Sequence, residues 1–340
     1  MSLKNSLQYY HEVLKRIPPK SHPIFEDNEM QIRVWGRRWG AHNDVGSLKM
    51  ALVHRPGEEI TRVTSDKYDP RIDSIIDDGE QWYWRRKDPP DLIKMQNEHD
   101  SMVEALRTEG VEVINLEKCS PRDPKAMFTR DNGVAVPGGM IIARMGPVGQ
   151  DPGTGRRGEE AFAMRKIVEL GMPILRTIHG SGLFEGGSFA FLDEQTAIIG
   201  LSYRQNEEAA RQIEEVLAVQ GISLIRIPLT GYSLHIDGAI VMVDHNLALI
   251  NVARLPYWFI DLLKERKIHT VEIHHEDNPM VINCLAIHPG KVLLAINNGD
   301  GTAERLTKTG IEVVPIEYAE CQCNGGSIHC STLPLIRELD

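Results

Sequence analysis

Near its C-terminus the sequence reads CQCNGGSIHCSTLPL over 321–335, with Cys330 just ahead of a small polar pair and an apolar run. A buried, inert thiol is the usual fate of a cysteine. Here the Asn324-Gly325-Gly326 turn reads as a flexible link that delivers Cys330 into a cavity, and an ionised thiol is a strong nucleophile. Cys321 and Cys323 have the look of half a metal site, but no second CxC or CxxC pair completes it. Upstream, LHIDG sets His235 and Asp237 two residues apart, so that both face one side of a strand. Such a pair suits general acid/base work. It also suits two metal ligands, although zinc takes at least three from protein. FTRDNG carries Arg130 and Asp131, and FEGGS carries Glu185. Each reads as a plain turn or as part of a site; the paired glycines predict a backbone that is tight or closely approached. Asn283 with Cys284, and Asn43 with Asp44 in HNDVG, complete the set. His274, His275, Glu276 and Asp277 form a rival ligand cluster, read as a solvated or capping group at a strand end.

These residues recur at one place in a repeating pattern. Two short apolar strands meet at a turn, a polar helix follows, and a β-branched run closes the unit. The strand pairs are LKMALVHRP (48–56), NGVAVPGGMIIARM (132–145), SFAFLDEQTAIIGLS (188–202), IDGAIVMVDHNLALINVA (236–253) and NCLAIHPGKVLLAIN (283–297). Helical periodicity follows each, as in DLIKMQNEHDSMVEALRTEG (91–110), with Leu92, Met95, Met102 and Leu106 on one face and a Gly stop. The last three units repeat at about 48 residues, the mark of an internal repeat. Five ββαβ units cannot each bury their own face. Packed as a ring, they form a five-bladed pseudo-symmetric α/β propeller. Equivalent positions then converge on one axial cavity. The expected organisation is a single domain over 44–340, with an N-terminal extension over 1–43 packed on it. An insertion at roughly 57–90, rich in charge and aromatics (Tyr68, Trp82, Tyr83, Trp84), is either a surface loop or a lid.

Composition sets the class. The 340 residues are 41% hydrophobic and 25% charged, ordinary for a soluble globular chain, and the formal net charge is -10. No Lys/Arg run supports a nucleic-acid surface, and no apolar stretch is long enough for a membrane span. A net negative charge fits a small cationic substrate. The start lacks an apolar signal region, and five cysteines are an odd number for a disulfide framework, so a reducing cytoplasm is expected. A homo-oligomer is left open.

Together FTRD, FEGG, LHID and GGSIHCSTLP, in this order on a fivefold repeat, resemble the guanidino-group-modifying enzymes of the pentein fold. That family comprises arginine deiminases, dimethylarginine dimethylaminohydrolases and amidinotransferases. The resemblance runs from about residue 44 to the C-terminus. It implies Cys330 as nucleophile, His235 as general acid/base with Asp237 as companion, Asp131 and Glu185 as holders of the guanidinium nitrogens, and no metal or organic cofactor. Chemistry agrees: a guanidinium is a planar cation whose donors form a fork that carboxylates accept in pairs. Its resonance makes the carbon a poor electrophile, so positioning must supply much of the rate. Arg130, Arg204 and Arg254 are candidates for a substrate carboxylate; Asn43 and Asn283 are expected to line the cavity. Two positions depart from the family pattern: Ser188 follows EGG where Asp is frequent, and His329 precedes the nucleophile where Arg is frequent. The second departure argues against free arginine as substrate. The expected activity is hydrolysis of a C–N bond in a guanidine-like compound through a thiouronium. The alternatives are amidino transfer to an amine, a metal-dependent amidohydrolase, and a non-enzymatic binding module such as the ribosome anti-association factor of the same fold.

Overall fold

A computed structural model describes residues 3–119, 123–146, 155–296 and 300–338. Two helices come first, α1 (Leu7–Arg16) and α2 (Asn28–Trp35), then strand β1 (Leu48–Val53). The insertion supplies a small antiparallel sheet of β2 (Tyr68–Asp69), β3 (Ser74–Asp77) and β4 (Trp82–Trp84), and α3 (Leu92–Thr108) and β5 (Glu112–Asn115) follow. Three ββαβ units come next. They are β6 (Gly133–Val136), β7 (Gly139–Ile142), α4 (Glu159–Glu169) and β8 (Ile174–Thr177); β9 (Phe189–Asp193), β10 (Thr196–Leu201), α5 (Glu207–Val219) and β11 (Ser223–Pro228); and β12 (Ile240–Asp244), β13 (Leu247–Ile250), α6 (Tyr257–Glu265) and β14 (His269–Glu272). A fourth contains β15 (Leu285–His288), β16 (Lys291–Ala295), α7 (Asp300–Lys308) and β17 (Glu312–Ile316). The chain closes with α8 (Ala319–Gln322) and β18 (Leu333–Arg337).

In each of these four units the first two strands pair antiparallel and the third adds parallel to the second. The last residue of the expected fifth hairpin, Asn297, lies outside the described residues. The first two strands of each unit are largely apolar on both faces, β6 and β7 being buried throughout, whereas the third strands, such as β14, are partly exposed. The helices form for local reasons. Asp91 caps α3 by accepting from the Lys94 amide, Met95, Met102 and Leu106 bury one face, and Gly110 at φ 80° lets the chain leave.

The first unit differs from the expected hairpin. Residues 48–56 contain one strand, and its antiparallel partner is β18 at the far end of the chain, Leu48 facing Arg337 and Leu52 facing Leu333. No local turn could build that pair, so both ends of the chain complete one sheet. The segment preceding a first strand is therefore, in this unit, the one carrying Cys330. The five sheets are separate. β18 lies against β6, β9 against β12, β12 against β15, and β15 against β1. The short turns Thr129–Asn132, Gly186–Ser188, Ile236–Gly238 and Pro279–Ile282, each ahead of a first strand, touch in series.

At the N-terminus Trp39 and Ala41 are buried with Met50 and Ile336, whereas α1 buries nothing. The insertion is no bare loop: Ile75, Trp82 and Trp84 share a core with Met95 and Met102. Among the described residues no helix is long and apolar enough to cross a membrane.

Candidate active site

A cavity of about 500 Å³ opens where those turns meet, and Asp131, Glu185, His235, Asp237, Asn283 and Cys330 all line it. His235 and Asp237 do not sit on a strand as expected. His235 precedes, and Asp237 lies within, the short turn Ile236–Gly238 ahead of β12, and both still line the cavity. The His235 Nε2 is 2.7 Å from Glu185 Oε2, and its Nδ1 is 3.6 Å from Asp131 Oδ1. Burial alone would disfavour the imidazolium, but Asp131 and Glu185 outweigh it and raise His235 to about 9. Burial likewise opposes the Glu185 carboxylate, yet His235 and Arg204 pull it down to about 2. At neutral pH the site thus holds a charged imidazolium against the ionised Glu185 carboxylate.

The glycines of FEGG follow from this crowding. A Cβ on Gly187 would lie 2.8 Å from Asp131 Oδ1, 2.9 Å from His235 Nδ1 and 3.2 Å from Asp237 Oδ2. A Cβ on Gly186 would strike the carbonyl oxygens of Arg130 and Gly133 at 2.2 Å. The Gly187 amide donates to Asp131 Oδ1 at 3.1 Å, which fixes that carboxylate. Ser188 is buried and donates to the Gly200 carbonyl at 3.0 Å, so it takes no part in the cavity.

Cys330 stands in a helical turn, with the Ser331 amide donating to Ser327 O and that of Thr332 to His329 O. Asn283 Oδ1 accepts from the amides of both Ser327 and Cys330, at 3.1 and 3.0 Å, while its Nδ2 donates to Asp237 Oδ2 at 3.1 Å. The thiol reaches Asp237 Oδ2 at 3.7 Å. Burial first, then Asp237 and Asp131, push the Cys330 thiol well above its ordinary value, so the resting sulfur is protonated. Asp237 Oδ2 also meets His329 Nδ1 at 2.9 Å. Burial opposes the Asp237 charge, but His329 and further neighbours hold its carboxyl below the usual range. The NGG turn is pinned, not flexible. Asn324 donates to Pro124 O at 2.7 Å, and Gly325, at φ 100°, passes so close to Tyr83 that a Cβ would sit 2.4 Å from its hydroxyl. Lys125 ties the same turn to the insertion by donating to the Tyr83 and Asn324 carbonyls.

The remaining candidates divide. Arg204 and Arg254 line the cavity; Arg204 Nη1 donates to Glu185 Oε1 at 2.7 Å, and Arg254 Nη1 to Gly238 O at 3.3 Å. Arg130 is buried, donates to Phe189 O at 3.2 Å, and does not line it. Asn43 is placed elsewhere. Its Oδ1 accepts from the Val45 and Gly46 amides, and with Asp44 it lines a different cavity of about 370 Å³ beside the hairpin turns at Asp193–Gln195 and His245–Asn246. The reason is the closure by β18: the position equivalent to Asp131 in the first unit is Cys330, not Asn43. His274 to Asp277 form a turn tied to α7, Asp277 Oδ2 accepting from the Thr302 amide. Cys321 and Cys323 donate to separate carbonyls, of Met95 and Ala319.

Arg156 escaped the sequence reading. It is buried, pairs with Asp131, and donates to Glu159 Oε2 at 2.7 Å. A signal for it existed. Arg156, Arg204 and Arg254 each stand at the same offset before a helix, ahead of Glu159, Glu207 and Tyr257. Three successive units therefore present an acid ahead of the first strand and an arginine ahead of the helix. The ligand-type atoms of Asp131, Glu185 and His235 lie within 4.8 Å of one another. A metal there would have to displace the guanidinium groups of Arg156 and Arg204 from two of its ligands.

Known proteins resemble this chain in sequence and in fold. The family profile described as N,N dimethylarginine dimethylhydrolase, eukaryotic, matches residues 83–337. An uncharacterised Bacillus subtilis protein is 28% identical over 250 residues, covering 72% of this chain and 82% of that one. Arginine deiminase of Oenococcus oeni is 22% identical, covering 87% and 97%. Among solved structures, Pseudomonas aeruginosa dimethylarginine dimethylaminohydrolase complexed with citrulline superposes with a TM-score of 0.65 at 20% identity over 85% of this chain and all (100%) of the other. Inosamine-phosphate amidinotransferase of Streptomyces griseus does so with 0.62 at 15% identity, covering 89% and 98%.

Proposed function

This chain belongs to the N,N dimethylarginine dimethylhydrolase family of pentein guanidino-modifying enzymes, and from that membership we propose that it hydrolyses a C–N bond of a guanidine-like compound by nucleophilic catalysis. The observation that carries this reading is a thiol 3.7 Å from Asp237 in a cavity that also holds the His235–Glu185 pair and Asp131. The series of turns, each ahead of a first strand, together with β15 lying against β1, supports five blades arranged as a propeller around that cavity.

Asp131 and Glu185 already carry internal partners: Gly187 and Arg156 on one, Arg204 and His235 on the other. Asp237 Oδ1 is the carboxylate oxygen with no hydrogen-bond partner among the described residues. An incoming guanidinium docks first on Asp237, beside the sulfur. It then competes for Asp131 and Glu185, and frees Arg156 and Arg204 for an anionic tail. His329 is held by Asp237 and does not line the cavity, so an Arg missing from that position leaves the cavity with four arginines, Arg85, Arg156, Arg204 and Arg254. A carboxylate-bearing substrate therefore fits better than the His329 departure suggested.

In the reaction the bound cation supplies the positive charge that burial denies the thiolate, and the thiol proton leaves to solvent as the substrate binds. Cys330 sulfur forms a bond to the guanidinium carbon. The C–N bond to the leaving amine then breaks, and the amine takes the proton that His235 holds. This leaves an S-linked thiouronium. Neutral His235 next accepts a proton from water as its oxygen bonds to the same carbon, and breakage of the C–S bond returns the thiol and a ureido product. Tyr83, Asp77 and Asp78 border the cavity, which makes the insertion a cover over the bound substrate.

The test is a screen of arginine, N-methylated arginines, carboxylate-free guanidines, amidines and ureido compounds, scored for release of ammonia, amine or urea. Repeating it with a primary amine acceptor separates hydrolysis from amidino transfer, the activity named for the Streptomyces relative. Mass spectrometry of the quenched reaction is expected to find an adduct on Cys330. No turnover of any compound together with no adduct would sink the proposal. Arg204→Ala is expected to raise KM about tenfold or more for carboxylate-bearing substrates and to leave carboxylate-free ones nearly unchanged.

A further inference from the structure

A second cluster of ligand-type side chains lies outside the catalytic cavity. His54 follows β1, Glu59 lies in the first turn of the insertion, and Cys119 lies beyond β5; their ligand atoms all fall within 4.8 Å of one another. None of the three lines the catalytic cavity. His54 Nδ1 meets the Leu116 carbonyl at 2.6 Å, and a carbonyl can only accept. Nδ1 therefore carries the proton. Nε2 faces Glu59 Oε1 at 3.3 Å. Burial opposes a charge on the ring, but the hydrogen bonds with Cys119 and Glu59 raise His54 to about 10, so a bound ion would take the place of the Nε2 proton. The spacing suits a metal ion, since two ligands each about 2.0 Å from zinc at a tetrahedral angle stand about 3.3 Å apart. The Gly57 amide donates to the same Glu59 oxygen at 2.7 Å, so both ligands have partners that hold their orientation.

A second observation points the same way. His99 on α3, 1% exposed and close enough to His54 to interact electrostatically, has no hydrogen-bond partner for either ring nitrogen among the described residues. The nearest carboxylate oxygen, of Asp100, is 3.9 Å from Nδ1. An unsatisfied buried imidazole is costly unless a ligand uses it.

We propose that His54, Glu59 and Cys119 form a binding site for a divalent cation of the zinc class, in the neighbourhood of the unpartnered His99. One imidazole, one carboxylate and one thiolate favour zinc or cobalt over magnesium or calcium. Binding releases the Cys119 thiol proton to solvent, because the thiolate is the ligand. The ion would join the base of the insertion to the end of the stretch that follows β5.

Cobalt(II) is the probe, used on the full chain carrying Cys330→Ser so that the catalytic thiol cannot contribute. About one equivalent is expected to bind with a thiolate-to-cobalt absorption band in the near ultraviolet. Adding Cys119→Ser is expected to abolish that band, and adding His54→Gln to weaken binding by at least tenfold, while circular dichroism stays unchanged. Zinc should raise the Tm of the Cys330→Ser protein and not that of the Cys119→Ser double variant. Absence of the band in the Cys330→Ser protein, or its survival after Cys119→Ser, would overturn the site. Neither result bears on turnover by Cys330.

Discussion

Two constellations of cysteine, histidine and carboxylate stand in this chain, and they differ in what surrounds them. Around Cys330 the acids Asp131 and Glu185 are matched by Arg156 and Arg204, and a cavity of about 500 Å³ leaves room for an organic molecule. Around Cys119 the acid Glu59 meets, among the described residues, the His54 ring and the Gly57 amide. In the function proposed above, the first arrangement exchanges one guanidinium for another and so recognises a shape. The second sets an imidazole, a carboxylate and a thiol together with no guanidinium hydrogen-bonded to the acid, which suits the bare ion proposed for it. The same residue types thus serve different chemistry, according to whether arginines and empty space accompany them.

The largest expected effect separates the two sulfurs. Cys330→Ser should cut turnover by at least ~10³-fold with the fold intact, because a hydroxyl is hardly ionised at neutral pH. Cys119→Ser should leave kcat/KM within about threefold. Equal losses in steady-state assays of the two variants would erase the distinction.

Next comes the backbone of FEGG. Gly187→Ala sets a Cβ within 3 Å of Asp131 and His235, so a loss of about 10²-fold in kcat/KM is expected, with Tm falling less than for a core truncation. Activity within a few fold of wild type would show that those side chains tolerate displacement.

A smaller change is expected from Glu185→Gln. Losing that carboxylate should bring the His235 titration down from about 9, towards the ordinary imidazole value of 6.5. Proton NMR of the ring reads this directly, and calorimetry should find substrate binding weakened. An unmoved titration would deny that Glu185 sets the His235 charge.

The smallest effect is on stability. His235 has a folded pKa of about 9 against 6.5 unfolded, so its contribution is full below 6.5 and is lost as pH rises through 9. Glu185 has about 2 against 4.5, so its contribution is full above 4.5 and is lost as pH falls through 2. Tm should therefore be highest between these limits, and the alkaline decline should shrink in His235→Gln. A decline of the same size in that variant would place its cause elsewhere.

Much of the catalytic cavity was legible in sequence because repetition does the work of geometry. Asp131, Glu185 and Asp237 all fall within the four residues ahead of a first strand in three successive units, and whatever folds one unit folds the others alike. The same logic would have found Arg156, had the offset before each helix been read. It misled at Asn43, because the first unit was matched to the local strand and not to one from the other end of the chain.

By itself the sequence determined the strand pairs with local turns, the helices with their caps, and the residue types gathered ahead of the first strands, since each follows from a few consecutive residues. Only the tertiary structure decided that β18 completes the first sheet, that Asn283 and His329 hold the cysteine turn and Asp237, and that arginines occupy the acids of the cavity. Those contacts join residues tens to hundreds of positions apart. They depend on which surfaces meet once the sheets have packed, and no local pattern encodes that.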